Sequence, residues 1–340
     1  MYADVDIAMP TVSIPQDEQD PHSERLMKVC DLWDLNLSDT QVKRARRAYY
    51  GAVSYVDDCI GRLLKVLKDC KLDDNTIIVF SGDHGDMLGE RGLWYKMSYF
   101  ESSVRVPLLV HHPKSFAPQH VSANVSTLDI LPTLVDLAGG KLATEEGLEI
   151  DGHSLLPFLQ GQTSNSAENT TYAEYCGEGT IAPLMMIKRE NWKFVTCPAD
   201  PDQLFNLAED PLELDNLATK CDKEDEGAVC GDCIGQSPLV RTILAELRAE
   251  AKTKWNMDAI TKAAKKSQRQ RRLVWNALKQ GKWTSWDYNS AEHDDGRQKY
   301  IRSHMPLDDL ELRARYPAVD DYGVERGGKT IKSNVVDATR

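Results

Sequence analysis

The strongest constraint on the fold is a long apolar stripe at helical spacing that runs straight into a short β-branched segment. From Asp39 or Thr40, apolar residues recur at Val42, Ala45, Tyr49, Ala52, Val56, Ile60, Leu63 and Leu67. That period is one face of an amphipathic helix, with a capping residue available just before it. A turn at Asp73-Asp74-Asn75 follows, then Thr76-Ile-Ile-Val-Phe-Ser81, short and apolar enough for a buried strand. A helix feeding a buried strand predicts an α/β fold with a parallel sheet. Val106 to Val110 predicts another strand, and Leu128 to Ala138 a helix that tolerates Pro132 in its first turn and closes at Gly139.

Other stretches read differently. The first 35 or so residues, rich in proline and acid with little periodicity, predict an extended surface segment. Past Gly161, the runs Leu184 to Lys188 and Trp192 to Thr196 flank a polar turn at Arg189-Glu-Asn191 and predict a β-hairpin in a smaller α+β subdomain. Ser237-Pro238 opens a helix to about Trp255, and a second runs from about Asp258 to Lys279. The second carries Lys262, Lys265, Lys266, Arg269, Arg271 and Arg272, a basic run that reads as a solvated face or as a contact with an acidic neighbour.

Composition removes several function classes. With 41% hydrophobic and 28% charged residues the chain has the make-up of a globular protein, and no apolar run is long enough for a membrane span. A net charge of -12 argues against non-specific nucleic-acid binding, which needs a basic face. The opening residues lack the basic and apolar regions of a secretory signal, so a cytoplasmic location is the expectation. The eight cysteines lack the spacing of a disulfide framework. Cys221, Cys230 and Cys233 could bind zinc, but no fourth ligand stands at suitable spacing, and a polar surface insertion with incidental thiols is the alternative.

Chemistry concentrates directly after the first strand, in SGDHGDMLGERGLWYK over residues 81–96. Ligand sites of parallel α/β sheets lie at the ends of strands. Asp83 offers a hard oxygen and His84 a nitrogen, with glycines on both sides that let the backbone turn around an ion. Oxygen cages favour calcium or magnesium, and a nitrogen donor widens the choice toward manganese or zinc. The plain alternative is a solvated turn with Asp86 or Arg91 as partner, and a surface ammonium for Lys96 beside Glu90 or Glu101.

This loop resembles the second metal-and-lysine motif of sulfatases in the alkaline phosphatase superfamily. The likeness extends along the chain in order. YYGAVSYVDDCIGRLLKVL resembles the helix before that motif, VRVPLLVHHP and VSTLDILPTLVDLAG the strand and helix after it, and DQLFNLAEDPLELDNLA a sulfatase C-terminal-subdomain signature. ALKQGKWTSWDYN and the stretch from Tyr300 to Pro317 resemble the C-terminal extension of choline sulfatases. The resemblance implies a partial alkaline-phosphatase-like sheet with helices on both faces over residues 1–160. A smaller α+β subdomain would follow over 161–257 and a choline-sulfatase extension over 258–340.

For function, the resemblance implies hydrolysis of choline sulfate to choline and sulfate. Asp83 and His84 would bind a divalent cation, calcium first with magnesium or manganese as alternatives, and Lys96 would grip the sulfate oxygens. Many relatives have Asn at the second position, so His84 is an accepted variant. Sulfuryl transfer needs charge stabilisation, which a cation beside a lysine supplies. Glu174 resembles a carboxylate that meets the quaternary ammonium. Trp283, Trp286, Asp287 and Tyr288 group aromatics around an acid in a region the family uses to complete its site, with a homo-oligomer expected. Packing is the alternative for such a tryptophan-rich stretch. A phosphodiesterase or phosphonate hydrolase of the same superfamily, or a non-catalytic remnant, are the other readings.

One departure matters. Sulfatases make a formylglycine nucleophile from the cysteine of a Cys-X-(Pro/Ser)-X-Arg motif. Here Cys30 precedes Asp-Leu-Trp-Asp and Cys197 precedes Pro-Ala-Asp-Pro, neither with the required arginine, and the paired aspartates that complete the metal site are absent. By itself the chain is therefore expected to be inactive, whether it is a fragment, a truncated reading frame or a degenerate relative. Missing strands would expose a sheet edge and apolar helix faces, predicting poor solubility.

Overall fold

The computed structural model describes residues 2–30, 32–112, 114–141, 150–162, 169–225, 238–278 and 280. Helix α2, Asp39–Asp69, begins at a capping box in which the Ser38 side chain accepts from Gln41 N and the Gln41 side chain accepts from Ser38 N. Its predicted stripe is formed but mostly uncovered: Val42 alone is buried, whereas Val56 is 49% and Leu63 66% exposed.

After α2, strand β1 (Ile78–Ser81) pairs with β2 (Leu108–His111), joined by the site loop and by the short helix α3 (Glu101–Val104). The pairing is antiparallel, Ile78 opposite His111 and Ser81 opposite Leu108, which corrects the expectation of parallel strands. A Cβ at Gly82 would stand 3.7 Å from Val106 and Pro107, and Ser81 pairs with Leu108, so β2 starts at the end where β1 stops and no crossover returns the chain to the other end. Nor is β1 buried: both strands are half-covered, with Leu109 58% exposed. Helix α4 (Ile130–Leu137) includes Pro132 in its first turn, and Gly139 follows it with φ 71°. A single turn, α5 (Leu156–Leu159), comes next.

The predicted hairpin is the centre of a four-stranded antiparallel sheet, β3 (Thr170–Tyr175), β4 (Leu184–Arg189), β5 (Trp192–Cys197) and β6 (Asp200–Asn206), in that order. Alternation along the strands makes two cores. On one face Met185, Ile187, Phe194 and Leu204 pack against Leu244, Leu247, Ala251 and Trp255, from helix α7 (Pro238–Lys254) and the residue just after it. On the other, Leu184, Met186, Val195 and Cys197 pack against Tyr99 and Val104, which belong to the site loop and α3. Helix α6 (Leu217–Asp225) adds Ala218 and Cys221 to the first face, and α8 (Met257–Leu278) follows α7 with its basic run largely solvated.

The N-terminal stretch also departs from its expectation as extended surface. Residues Pro21–Val29 form helix α1, capped by Asp20 and with proline at its first position. Leu26 and Met27 pack beneath the site loop against Met87, Leu93 and Phe100. The helix was hidden because its other buried residues, His22, Ser23 and Arg25, are polar. Arg25 itself is tolerated because it donates to both oxygens of Asp200 on β6 and to the Gly179 carbonyl.

Candidate active site

Loop 82–100 leaves β1 and folds on its own backbone. Met87 N donates to Tyr95 O at 2.7 Å and Gly89 N to Leu93 O at 2.8 Å, closing a hairpin-like loop. Leu88, Arg91 and Tyr95 hold φ values of 47°, 60° and 69°, in the left-handed region that non-glycine residues seldom adopt. Such conformations persist only when the surroundings fix them. Here Glu90 accepts from Thr11 N and Val12 N at 2.8 Å each, and Arg46 donates to Leu88 O at 2.8 Å.

This architecture brings three predicted residues together. Lys96 Nζ lies 2.5 Å from His84 Nε2, and Asp83 Oδ2 lies 3.2 Å from the same nitrogen. His84 Nδ1 lies 2.8 Å from the Gly85 carbonyl, which makes it the protonated nitrogen and leaves the Nε2 lone pair facing Lys96 and Asp83. A second ring nitrogen tied to a backbone carbonyl is the arrangement that orients metal-binding histidines. The site opens to solvent, with the Asp83 side chain 85% exposed. For Asp83 burial is the largest single effect and acts upward, but the backbone N–H donors together with the neighbouring His84 and Lys96 outweigh it, so its carboxyl is held below the usual range.

The plain alternatives for these residues are occupied elsewhere. Glu90 pairs with Arg46 and Glu101 with Lys193, so Lys96 is held by neither. Arg91 stacks 4.1 Å over the Phe100 ring, and Asp86 caps Leu88 N. As to a cation, Asp83 and His84 offer suitable donors. However, the described residues contain no group of three or more His, Cys, Asp or Glu able to hold a metal ion, so these two do not complete a site.

Glu174 stands apart from that trio. It is exposed on β3, and its Oε1 accepts from Trp255 Nε1 at 2.7 Å on the α7 side of the sheet, whereas Tyr99 packs on the opposite face. Trp283, Trp286, Asp287 and Tyr288 lie outside the described residues, as do Cys230 and Cys233. Sequence reasoning missed Lys193 and Glu213, both buried and both tied to the loop. The signal available for Glu213 was its place in the DPLELDNLA stretch.

Comparison with known proteins places this loop in context. The family description "Sulfatase" matches residues 11–140, "N-sulphoglucosamine sulphohydrolase, C-terminal" matches 89–228, and "Choline sulfatase enzyme C terminal" matches 262–316. A choline-sulfatase of Rhizobium meliloti (strain 1021) is 40% identical over 93% of the chain. The chain is thus similar to sulfatases along most of its length. It spans 58% of the length of that choline-sulfatase. Among solved structures, a phosphonate monoester hydrolase of Agrobacterium radiobacter is 28% identical with a TM-score of 0.52, over 64% of this chain and 43% of that one. A phosphonate monoester hydrolase of Silicibacter pomeroyi, at 21% identity and a TM-score of 0.59 over 73% of this chain and 51% of its own, shares the fold. Among the described residues, no helix is long and apolar enough to cross a membrane.

Proposed function

We propose that these residues form part of a cytoplasmic, homo-oligomeric enzyme that hydrolyses choline sulfate to choline and sulfate. The observation that carries the reading is the meeting of an ammonium, an imidazole and a carboxylate at the end of β1, with the Lys96 to His84 contact at 2.5 Å. In this reading Lys96 binds the nonbridging oxygens of the sulfate ester. Asp83 and His84 contribute two ligands to a divalent cation, calcium first and magnesium or manganese as alternatives, with the remaining donors outside the described residues. Bound there, the cation supplies charge stabilisation to the sulfuryl group. The formylglycine nucleophile comes from a segment that these 340 residues do not contain.

Choline, lacking N–H donors, is recognised by charge and aromatic faces. Glu174 provides the charge, supported by its exposure and by the Trp255 indole that orients it beside Tyr172, 6.0 Å away ring to ring. Trp286 and Asp287 complete the cation site. Support for this substrate over other sulfate esters is the match of 262–316 to choline sulfatase C termini. The likeness to a phosphonate monoester hydrolase favours phosphonate or phosphodiester hydrolysis as the second reading.

Substrate comparison in the complete enzyme tests the assignment. Glu174→Gln is expected to lower kcat/KM for choline sulfate by about tenfold or more, the worth of one desolvated cation contact, and to leave aryl sulfate hydrolysis nearly unchanged. Equal losses on both substrates would remove Glu174 from choline recognition. Faster turnover of a phosphonate monoester than of either sulfate would favour the second reading.

A further inference from the structure

A fully buried lysine lies between the four-stranded sheet and the site loop. Lys193, on β5, is 0% exposed, and its ammonium donates to Glu213 Oε1 and to Tyr99 O at 2.8 Å each. Glu101 Oε1 lies 2.6 Å from the same ammonium, as an ion pair without hydrogen-bond alignment. Glu213 has a second hold on the loop region, accepting from Glu101 N at 2.7 Å, and its own carbonyl accepts from Arg91 Nη1 at 3.1 Å. Burial pushes the Glu213 carboxyl up, against the downward pull of Lys193.

Both carboxylates meet at the first residue of α3, and α3 in turn holds the two ends of the reactive loop. Ser103 Oγ donates to the Lys96 carbonyl, and Ser103 O accepts from Gly85 N at 2.7 Å. Gly85 follows His84 directly, and a Cβ at that position would stand 2.1 Å from Ser102 O, so loop and helix are in close backbone contact. An unbroken series of contacts therefore runs from β5 through the ion cluster and α3 to the backbones that carry His84 and Lys96.

We infer that Lys193, with Glu213 and Glu101, is a positioning residue: the C-terminal sheet uses it to fix the spacing of His84 and Lys96. The cluster touches neither side chain. It acts by holding α3, through a buried ammonium that lies within 2.8 Å of Tyr99 O, Glu213 Oε1 and Glu101 Oε1. This inference rests on the reading of Asp83, His84 and Lys96 as the reactive trio.

Amide hydrogen exchange and imidazole 15N spectra of the whole chain provide the test, in a Lys193→Met/Glu213→Gln variant that removes the ammonium with its buried partner and leaves only the partly exposed Glu101 carboxylate. The amides of Gly85 and Met87 are expected to exchange about tenfold or more faster, while those of Ile187 and Phe194 in the sheet keep their protection. The His84 Nε2 resonance is expected to lose the shift produced by Lys96. Unchanged exchange and an unchanged His84 spectrum in the folded variant would overturn the inference. An equal loss of protection in loop and sheet would do the same, since Lys193 would then be a general core residue. Where the double variant does not fold, Glu101→Gln disturbs one arm of the cluster at a partly exposed side chain. About threefold faster exchange at Gly85 is then expected, and unchanged rates would refute the clamp. None of these readouts needs turnover, so their failure is distinct from failure of the sulfatase reading.

Discussion

Replacing Arg25 by methionine should cost this protein a large share of its stability, and the structure sets the size. Arg25 is 6% exposed and donates to Gly179 O at 2.8 Å and to Asp200 Oδ1 at 2.9 Å, with a further contact to Asp200 Oδ2. Methionine keeps the apolar stem but strands the Asp200 carboxylate, whose side chain is only 8% exposed, together with one carbonyl. Removing one partner of a buried pair costs about 3–5 kcal/mol, most of it the desolvated charge left behind. Asp200→Asn added to Arg25→Met removes that charge, so the double variant should be more stable than the sum of the single losses implies, by about 2 kcal/mol. Urea denaturation followed by tryptophan fluorescence reads all four proteins of the cycle. A loss below about 1 kcal/mol for Arg25→Met, or additivity within about 0.5 kcal/mol, would refute the reasoning.

Two further outcomes follow from particular groups. Burial holds the His22 imidazole below its ordinary 6.5, against the upward pull of the Met97 carbonyl and Asp20, so below about pH 6.5 the unfolded chain takes up a proton that the folded one refuses. Stability contributed by His22 is therefore complete above that pH and lost as pH falls toward the depressed folded value. At its steepest the slope is about 1.4 kcal/mol per pH unit, and His22→Gln should flatten it in denaturant midpoints compared at pH 7.5 and 5.5. Equal slopes in both proteins would exclude His22 as the source. Gly85→Ala should destabilise by about 1–3 kcal/mol or more, because its Cβ would meet the Ser102 backbone at 2.1 Å; an unchanged unfolding midpoint would show that α3 can move aside.

What could be read in advance depended on how local the determining interactions are. Helices α2 and α7 were legible from period and cap, and the β4–β5 hairpin from two apolar runs about a polar turn. Strand β6 was not, since it opens with Asp200-Pro201, a pairing compatible only with an edge position. Helix α1 escaped notice because three of its buried side chains are polar and Arg25 finds its partner 175 residues away. The same distinction divides the site. Asp83, His84 and Lys96 lie within one loop and meet there, whereas Lys193 reaches Tyr99 across 94 residues, and nothing in its own neighbourhood marks a buried lysine. The uncovered stripe of α2 is the complement of this lesson: its period was plain, and no described segment packs over most of it.

Sulfate release from choline sulfate, by a protein that joins these residues to a nucleophile-bearing segment, tests the central claim most directly. Lys96→Ala and His84→Ala should each lower kcat/KM by about a hundredfold or more while the folded spectrum is retained, as expected for groups that stabilise charge in the transition state. Turnover within about threefold of the parent for both variants would contradict the assignment of this loop as the reactive site.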